Sequence, residues 1–250
     1  MTDYRNEKEF LETYDSKGFE QVSVTTDLLI FAISDLETEN YRRLNQKKMS
    51  IYLVKRENFP AKDKWCLPGG FVNPRESLEE SALAVLKQKT KLNDLYLEQL
   101  YTFGDVKRDP RTRIISVAYM ALIDKQNLPM QIARDSNWFH ITQKGEDVFL
   151  QNEENPEIRF SIGELAFDHS DIIKAGLSRL KNKIEYTDLA FHLLPEEFTL
   201  SELQAVYEVI LGKSLLAPAF RRMIKPHVVA TGNVKQGSGH RPSAFYKQVK

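Results

Sequence analysis

The sequence predicts an α+β protein in two parts, and three observations carry that expectation. Strand and helix signals alternate through the first half, helical signals take over after Pro156, and acidic side chains stop at Glu208. Across 250 residues, 35 Lys and Arg balance 35 Asp and Glu, but the balance is uneven along the chain. From 209 to 250 there are eight basic groups and no acidic one: Lys213, Arg221, Arg222, Lys225, Lys235, Arg241, Lys247 and Lys250. Residues 1–208 therefore carry a net charge of −8 and the tail +8. Segregation on this scale points to different partners for the two parts, a solvated basic terminus being the plain alternative.

Several classes are excluded early. No apolar run approaches the ~18 residues of a membrane helix, and the longest, 28–33 and 117–123, are strand-sized. The polar, charged opening 1–10 speaks against a secretory signal. Cys66 is the single cysteine and cannot form an intrachain disulfide, and five scattered His give no zinc spacing. The expectation is a cytoplasmic protein with no metal site and no membrane partner.

Residues 25–34 and 49–55 read as strands, the second placing Ile51 and Leu53 on one face and Tyr52 and Val54 on the other. Trp65-Cys66-Leu67-Pro68-Gly69-Gly70 reads as a short strand entering a glycine turn. Residues 76–91 read as a helix, with Leu78, Ala82, Val85 and Leu86 as its buried stripe and Ser77 as N-cap. Residues 113–124 form another long strand, and Trp138-Phe139 sits in a short one. By itself this mixture fits α+β or α/β.

Residues 168–183 place Ile172, Ile173, Ala175, Leu177 and Leu180 on a connecting helix. Pro195 breaks the chain, and Thr199-Leu200-Ser201-Glu202 follows with capping-box spacing. That helix should stop at Gly212; a second should begin near Ala217, with Pro218 in its first turn, and end by Pro226. Beyond 228–231 comes a loop rich in Gly and Lys (Gly232, Lys235, Gly237, Gly239), then strand character over 243–249. Helix, short turn, helix and glycine-tipped hairpin is the order of a winged helix-turn-helix.

Leu67-Pro68-Gly69-Gly70 followed by Glu76 resembles the start of a Nudix box, whose pattern is G-x5-E-x7-R-E-U-x-E-E-x-G-U with U aliphatic. Laid from Gly70, the chain supplies Gly70, Glu76, Leu86 and Leu92, and departs at Ala84, Val85, Gln88, Lys89 and Lys91. The departures fall on the chemistry. In the family, carboxylates at the positions of Val85, Gln88 and Lys89 converge from one helical face on magnesium, which orients water and neutralises the diphosphate. Here that face offers a branched alkyl group, an amide and a cation, so the hydrolase is expected to be dead. Glu79 and Glu80 are read as solvated helix charges.

A second segment keeps a ligand in view. Phe103-Gly104-Asp105-Val106-Lys107-Arg108-Asp109-Pro110-Arg111, entering the strand 114–119, resembles a segment of ADP-ribose-related Nudix proteins. Arg108, Arg111 and Arg113 can fork onto phosphate oxygens, a basic loop with a proline turn being the plain alternative. Arg56 can reach the same pocket or stand as a surface charge. Gly69 and Gly70 suit a tight turn, and close backbone approach to a ligand would serve as well. The candidate ligand set is Arg56, Gly69, Gly70, Arg108, Asp109 and Arg111, with no catalytic residue.

Together the two halves resemble the Nudix-related transcriptional regulators of the NrtR family, bacterial repressors of NAD metabolism. The likeness continues through Leu165-Ala166-Phe167-Asp168-His169, Phe198-Thr199-Leu200 with Glu202-Leu203-Gln204, Phe220-Arg221-Arg222, and Gly239-His240-Arg241-Pro242 to Phe245-Tyr246. It covers nearly the whole chain from about Val22. It implies an effector domain over 1–165, a connecting helix over 166–186 and a DNA-binding unit over 187–250. It further implies a homodimer, a palindromic double-stranded DNA operator, and ADP-ribose or a related nucleotide as effector with no cofactor required. Degenerate boxes are familiar in this family, so the departures fit a sensor.

Arg221 and Arg222 are placed near the start of the second helix, where side chains meet major-groove edges or phosphate, and Lys225 one turn further. Lys235 and Arg241 flank the wing tip and suit phosphate or minor-groove contacts. Singly, each is a surface cation in the plain reading. His169 and His192 are read as packing or capping residues. The expected function is a repressor of NAD or niacin genes. The alternatives are a sugar-responsive regulator of arabinose type and an active ADP-ribose pyrophosphatase with a basic appendage.

Overall fold

The computed structural model describes residues 7–15, 20–36, 46–91, 95–125, 135–237 and 240–249. After a short helix, α1 (Glu7–Thr13), the chain enters β1 (Ser23–Leu36), β2 (Gln46–Lys55), β3 (Trp65–Cys66) and β4 (Gly69–Phe71). Helix α2 (Leu78–Thr90) follows, then β5 (Tyr96–Phe103), β6 (Ile114–Ile123), β7 (Ser136–Lys144), β8 (Asp147–Asn152) and β9 (Arg159–Ser161). The main sheet runs β5-β6-β1-β2-β7-β8-β9, with β3 on β2 and β4 on β1. Its central pair, β1 and β6, is parallel, and the other pairings are antiparallel.

Strands covered on both faces read as continuous apolar runs, and residues 28–33 are such a run. Leu28, Ile30 and Ala32 face α2 with Ala82, Leu86 and Trp138. Leu29, Phe31 and Ile33 face a larger layer that continues through Ile172 and Leu180 to Leu203 and Phe220. One apolar core therefore joins the sheet to the C-terminal helices. Helix α3 (His169–Lys183) lies on this second layer and approaches closely at Gly176, where a Cβ would stand 1.9 Å from Leu29 Cδ2.

The helix signals are met locally. Ser77 caps α2 in a reciprocal capping box with Glu80, so Glu80 is a capping residue and more than a solvated charge. Thr199 and Glu202 do the same for α4 (Leu200–Leu211), which ends on left-handed Gly212 at φ 67°. Helix α5 (Ala217–Ile224) carries Pro218 in its first turn. A three-stranded sheet, β10-β12-β11, completes this unit with β10 (Phe198–Thr199), β11 (Val228–Gly237) and β12 (His240–Gln248).

Three expectations change. Gly69 and Gly70 lie in β4 and not in a turn: Gly69 pairs with Asp27, and a Cβ there would sit 2.4 Å from the Thr26 carbonyl. The expected Gly and Lys loop is mostly strand, with a bulge between Ala230 and Val234 that left-handed Gly232 accommodates at φ 87°. Arg221 and Arg222 fall in the last turn of α5 because that helix has only eight residues. Leu92 and Gly239, named in the motif readings, lie outside the described residues, as do the side chains of Lys235 and Arg241.

Candidate functional site

At the N-terminal end of β1 the sheet opens into a cavity of about 400 Å³. It is walled by β1, by the glycine strand β4, by the 104–113 connection and by the head of α3. Arg56, Gly69, Gly70, Arg108, Asp109 and Arg111 all line it. Arg113 does not, and its Nη1 is buried with no partner among the described residues.

Arg108 forms the floor and is 8% exposed. Its Nε and Nη2 donate to the two Asp168 carboxylate oxygens at 2.8 and 2.7 Å, and Nη2 lies 3.3 Å from Asp27 Oδ2. Burial works against the guanidinium charge, but the bonds to Asp168 and the Asp27 charge outweigh it and raise the pKa. The fork expected to meet phosphate is therefore already held by carboxylates. Asp27 also accepts from Ser116 Oγ at 2.5 Å. Buried His169 accepts the Leu67 backbone N–H on Nδ1 at 2.9 Å, and burial pushes its pKa down.

Arg111 is more open. Its Nε and Nη2 close on Asp109 at 3.0 and 2.8 Å, and this hydrogen-bonded pairing raises its pKa and lowers that of Asp109. Its guanidinium carbon lies 5.5 Å from the Phe71 ring centre and 5.9 Å from that of Phe167. Arg56 stands 4.9 Å from the same Phe167 ring and donates from Nε to the Pro60 carbonyl at 2.8 Å. Phe71, Arg111, Phe167 and Arg56 thus alternate ring and guanidinium along one wall. Phe167 holds φ at 56°, a costly value for an aromatic residue, so its placement is over-determined by its surroundings.

Thr25 lines the same cavity, and its Oγ1 is buried without a hydrogen-bond partner among the described residues. Cys66 lines it too, but burial pushes the thiol up to about 11, which leaves it a poor nucleophile.

The fold family implies a divalent metal on α2, and the residues present do not fit one. Val85 packs partly buried against the apolar layer, Gln88 is exposed, and Lys89 lines the cavity. Among the described residues no group of three or more His, Cys, Asp and Glu is gathered as a metal would need. Arg56, Lys89 and Arg111 bring positive charge to the cavity wall.

Sequence reasoning missed Thr25, Asp27 and Phe167 as cavity residues, and it gave Asp168 no role. Asp27 left a legible signal, a carboxylate directly before the apolar run 28–33. Phe167 left none, because its importance lies in a backbone conformation.

The second site is the surface of α5. Arg221, Arg222 and Lys225 are all exposed. Phe220 and Ile224 anchor the helix beneath, Phe220 meeting Tyr207 of α4 edge-on at 5.2 Å. Glu208 fixes the turn between the helices by accepting the Leu215 N–H at 2.8 Å and the Gln204 amide at 2.9 Å. Asn233 of β11 ties the wing to Glu197 at 3.0 Å. An exposed face of α5 that carries cations and no acidic side chain is an arrangement suited to duplex DNA.

Comparison with known proteins bears on both halves of the chain. The NUDIX domain model matches residues 41–159 and the NrtR DNA-binding winged helix domain matches 190–248. The ADPR responsive transcriptional repressor NtrR of Acinetobacter baylyi is 34% identical over 249 residues, covering 98% of this chain and 89% of the relative. An ADP-ribose pyrophosphatase of Methanocaldococcus jannaschii is 29% identical over 130 residues, 52% of this chain and 66% of that one. The crystal structure of Shewanella oneidensis NrtR complexed with a 27mer DNA superposes with a TM-score of 0.70 at 30% identity, covering 90% of this chain and 93% of that one. With a Nudix domain, an NrtR-type winged helix and a near full-length repressor relative, the chain belongs to the NrtR family of Nudix-related transcriptional regulators.

Proposed function

We propose that this chain is a DNA-binding transcriptional repressor whose Nudix domain senses ADP-ribose without hydrolysing it, and that it acts on genes of NAD or niacin metabolism. The observation that carries the reading is the cavity itself. Three cationic side chains, Arg56, Lys89 and Arg111, and a face of aromatic rings line one cavity, and Lys89 holds a position where the fold family carries a metal-binding carboxylate. Fixed cations suit a diphosphate, and rings at van der Waals depth suit a base or a sugar face. Loss of the metal ligands removes water activation and charge neutralisation together, so binding outlasts chemistry. The S. oneidensis NrtR is seen with DNA, and the A. baylyi relative is named as responsive to ADPR; both properties are assigned here to this chain.

On this reading residues 1–165 hold the effector, 166–186 connect, and 187–250 bind DNA as a homodimer on an inverted repeat. Arg221, Arg222 and Lys225 contact DNA from α5, and Lys235 and Arg241 from the wing. The protein acts in the cytoplasm, and among the described residues no helix is long and apolar enough to cross a membrane. Gel-shift titration of the full chain on its own upstream region, with and without ADP-ribose and with EDTA present, tests the reading. Specific binding that ADP-ribose alters without metal is expected. Binding that ignores ADP-ribose and responds to arabinose would replace the effector.

A further inference from the structure

Asp168 is the residue immediately before α3, the N-cap position of the helix that runs from the cavity toward the DNA-binding unit. Aspartate is among the strongest capping residues, and a carboxylate there also suits the helix dipole. Yet its side chain makes no capping bond, and it sits at φ −94°, ψ 22°, off the extended geometry that capping uses. Both of its oxygens are turned instead onto the buried Arg108 fork at 2.7 and 2.8 Å. The preceding residue is Phe167 with its unfavourable φ of 56°, and the next is His169, bonded to the Leu67 backbone across the cavity floor. The head of α3 is therefore held away from its own best local structure by one ion pair. The other end is held separately, Glu98 of β5 accepting from Arg179 at 2.6 Å and from Lys183 at 2.8 Å.

We propose that the Arg108–Asp168 pair is the exchangeable link between effector and DNA-binding unit. A bound phosphate takes the Arg108 fork, and released Asp168 turns back to cap α3. Carboxylate and phosphate accept the guanidinium with the same two-point geometry, so one anion replaces the other without leaving Arg108 unsatisfied. Asp27 keeps its contact with Arg108 and Ser116 and holds the arginine in the floor during the exchange. The head of α3 re-seats while the Glu98 clamp fixes its far end. Because α3 shares one apolar core with α4, its new seat reaches the winged helix. Asp168 is thus a positioning residue, acting through Arg108 and through the helix it precedes. This inference rests on the effector reading above and adds the route by which occupancy is transmitted.

Asp168→Ser tests it, since serine caps a helix but cannot hold Arg108. Operator affinity is measured with and without ADP-ribose, and calorimetry on each variant confirms ligand occupancy. Wild type should show a ligand-dependent change of at least about 5-fold in operator affinity, the usual lower range of allosteric coupling. Asp168→Ser without ligand should match liganded wild type within about 2-fold, and ADP-ribose should then change it less than about 2-fold. Asp168→Asn, which also caps but leaves Arg108 one neutral acceptor in place of two charged ones, should shift the same way by a smaller factor and serves if the serine variant folds poorly. Asp168→Ala should lose the response without reaching the liganded affinity, because it can neither pair nor cap. Ser and Asn variants that still respond as wild type overturn the link while the effector reading stands, and identical Ser and Ala behaviour overturns the capping exchange. A wild type whose DNA affinity ignores bound or unbound ADP-ribose overturns the effector reading, and the link falls with it.

Discussion

Arg111 closes its fork on Asp109 two residues away, at 3.0 and 2.8 Å, while 42% of its side chain remains exposed between the Phe71 and Phe167 rings. This is an arginine aimed and held in place, not one consumed in the interior. Replacing Arg111 by Ala is therefore expected to weaken ADP-ribose binding by about 1.5–3 kcal/mol, the range for a charge-assisted hydrogen bond. Lysine should recover only part, because it lacks the planar fork. Isothermal calorimetry without divalent metal checks it; an alanine variant within about 0.5 kcal/mol of wild type would remove Arg111 from the ligand set.

Val85, Gln88 and Lys89, at positions where the fold family carries metal-binding carboxylates, predict the absence of turnover. Purified protein with magnesium or manganese should hydrolyse neither ADP-ribose nor NADH above background. Phosphate or AMP release is the measurement, and a rate of roughly 1 per second or more, ordinary for an enzyme, would sink the sensor reading. Restoring Glu at Lys89 alone should not restore turnover, since Val85 still offers an alkyl group packed against the core.

How much of this was legible in the sequence follows from what each signal depends on. The N-cap at Ser77, the capping box at Thr199, the stop at Gly212 and Pro218 in the first turn of α5 are local, and the structure keeps each one. The six residues named for the ligand set also converge on one cavity, because strand ends and the loop between β5 and β6 meet at the edge of a parallel pair. The roles within the cavity were not legible. Whether Arg108 faces solvent or two carboxylates depends on Asp27 and Asp168, which lie 81 and 60 residues away in sequence. Gly69 was misread as a turn because the same residue type serves close strand pairing, and only the register with Asp27 tells the two apart.

Stability should fall with mild acid before the carboxylates titrate. Burial depresses the pKa of His140, His169 and His192 below the ordinary 6.5. An unfolded chain takes up those protons as pH drops through about 6.5, and the folded chain does not, so the folded state loses stability from there toward the depressed values. The lowered Asp109 and Glu98 act in the same direction only further down, below the ordinary carboxylate range. Thermal melts should show a lower midpoint at pH 5.5 than at pH 7.5, with each kcal/mol lost worth roughly 2–4 °C in a chain of this size. His169→Gln keeps an acceptor for Leu67 and should flatten the curve; an unchanged slope assigns the effect elsewhere.

The position of Arg221 and Arg222 in the last turn of α5 changes what their removal should do. Side chains at the start of a recognition helix meet base edges, and those near its end run along the flanking strand. Each alanine variant is therefore expected to weaken specific and non-specific DNA alike and to reduce the slope of log affinity against log salt by about one. A guanine-reading arginine would instead cost about 1–3 kcal/mol at one base pair and relax preference there. Glu208→Ala gives the contrasting case. It removes the acceptor that fixes the Leu215 N–H and the turn before α5, and it adds no positive or negative contact to the DNA-facing surface. Its salt slope should stay near wild type while discrimination between operator and random duplex falls, because a loosened α5 no longer presents one orientation. Gel shifts at several salt concentrations on both duplexes separate the three patterns. Base-specific relaxation in the Arg221 or Arg222 variant would place that side chain in the groove and return the reading to direct readout.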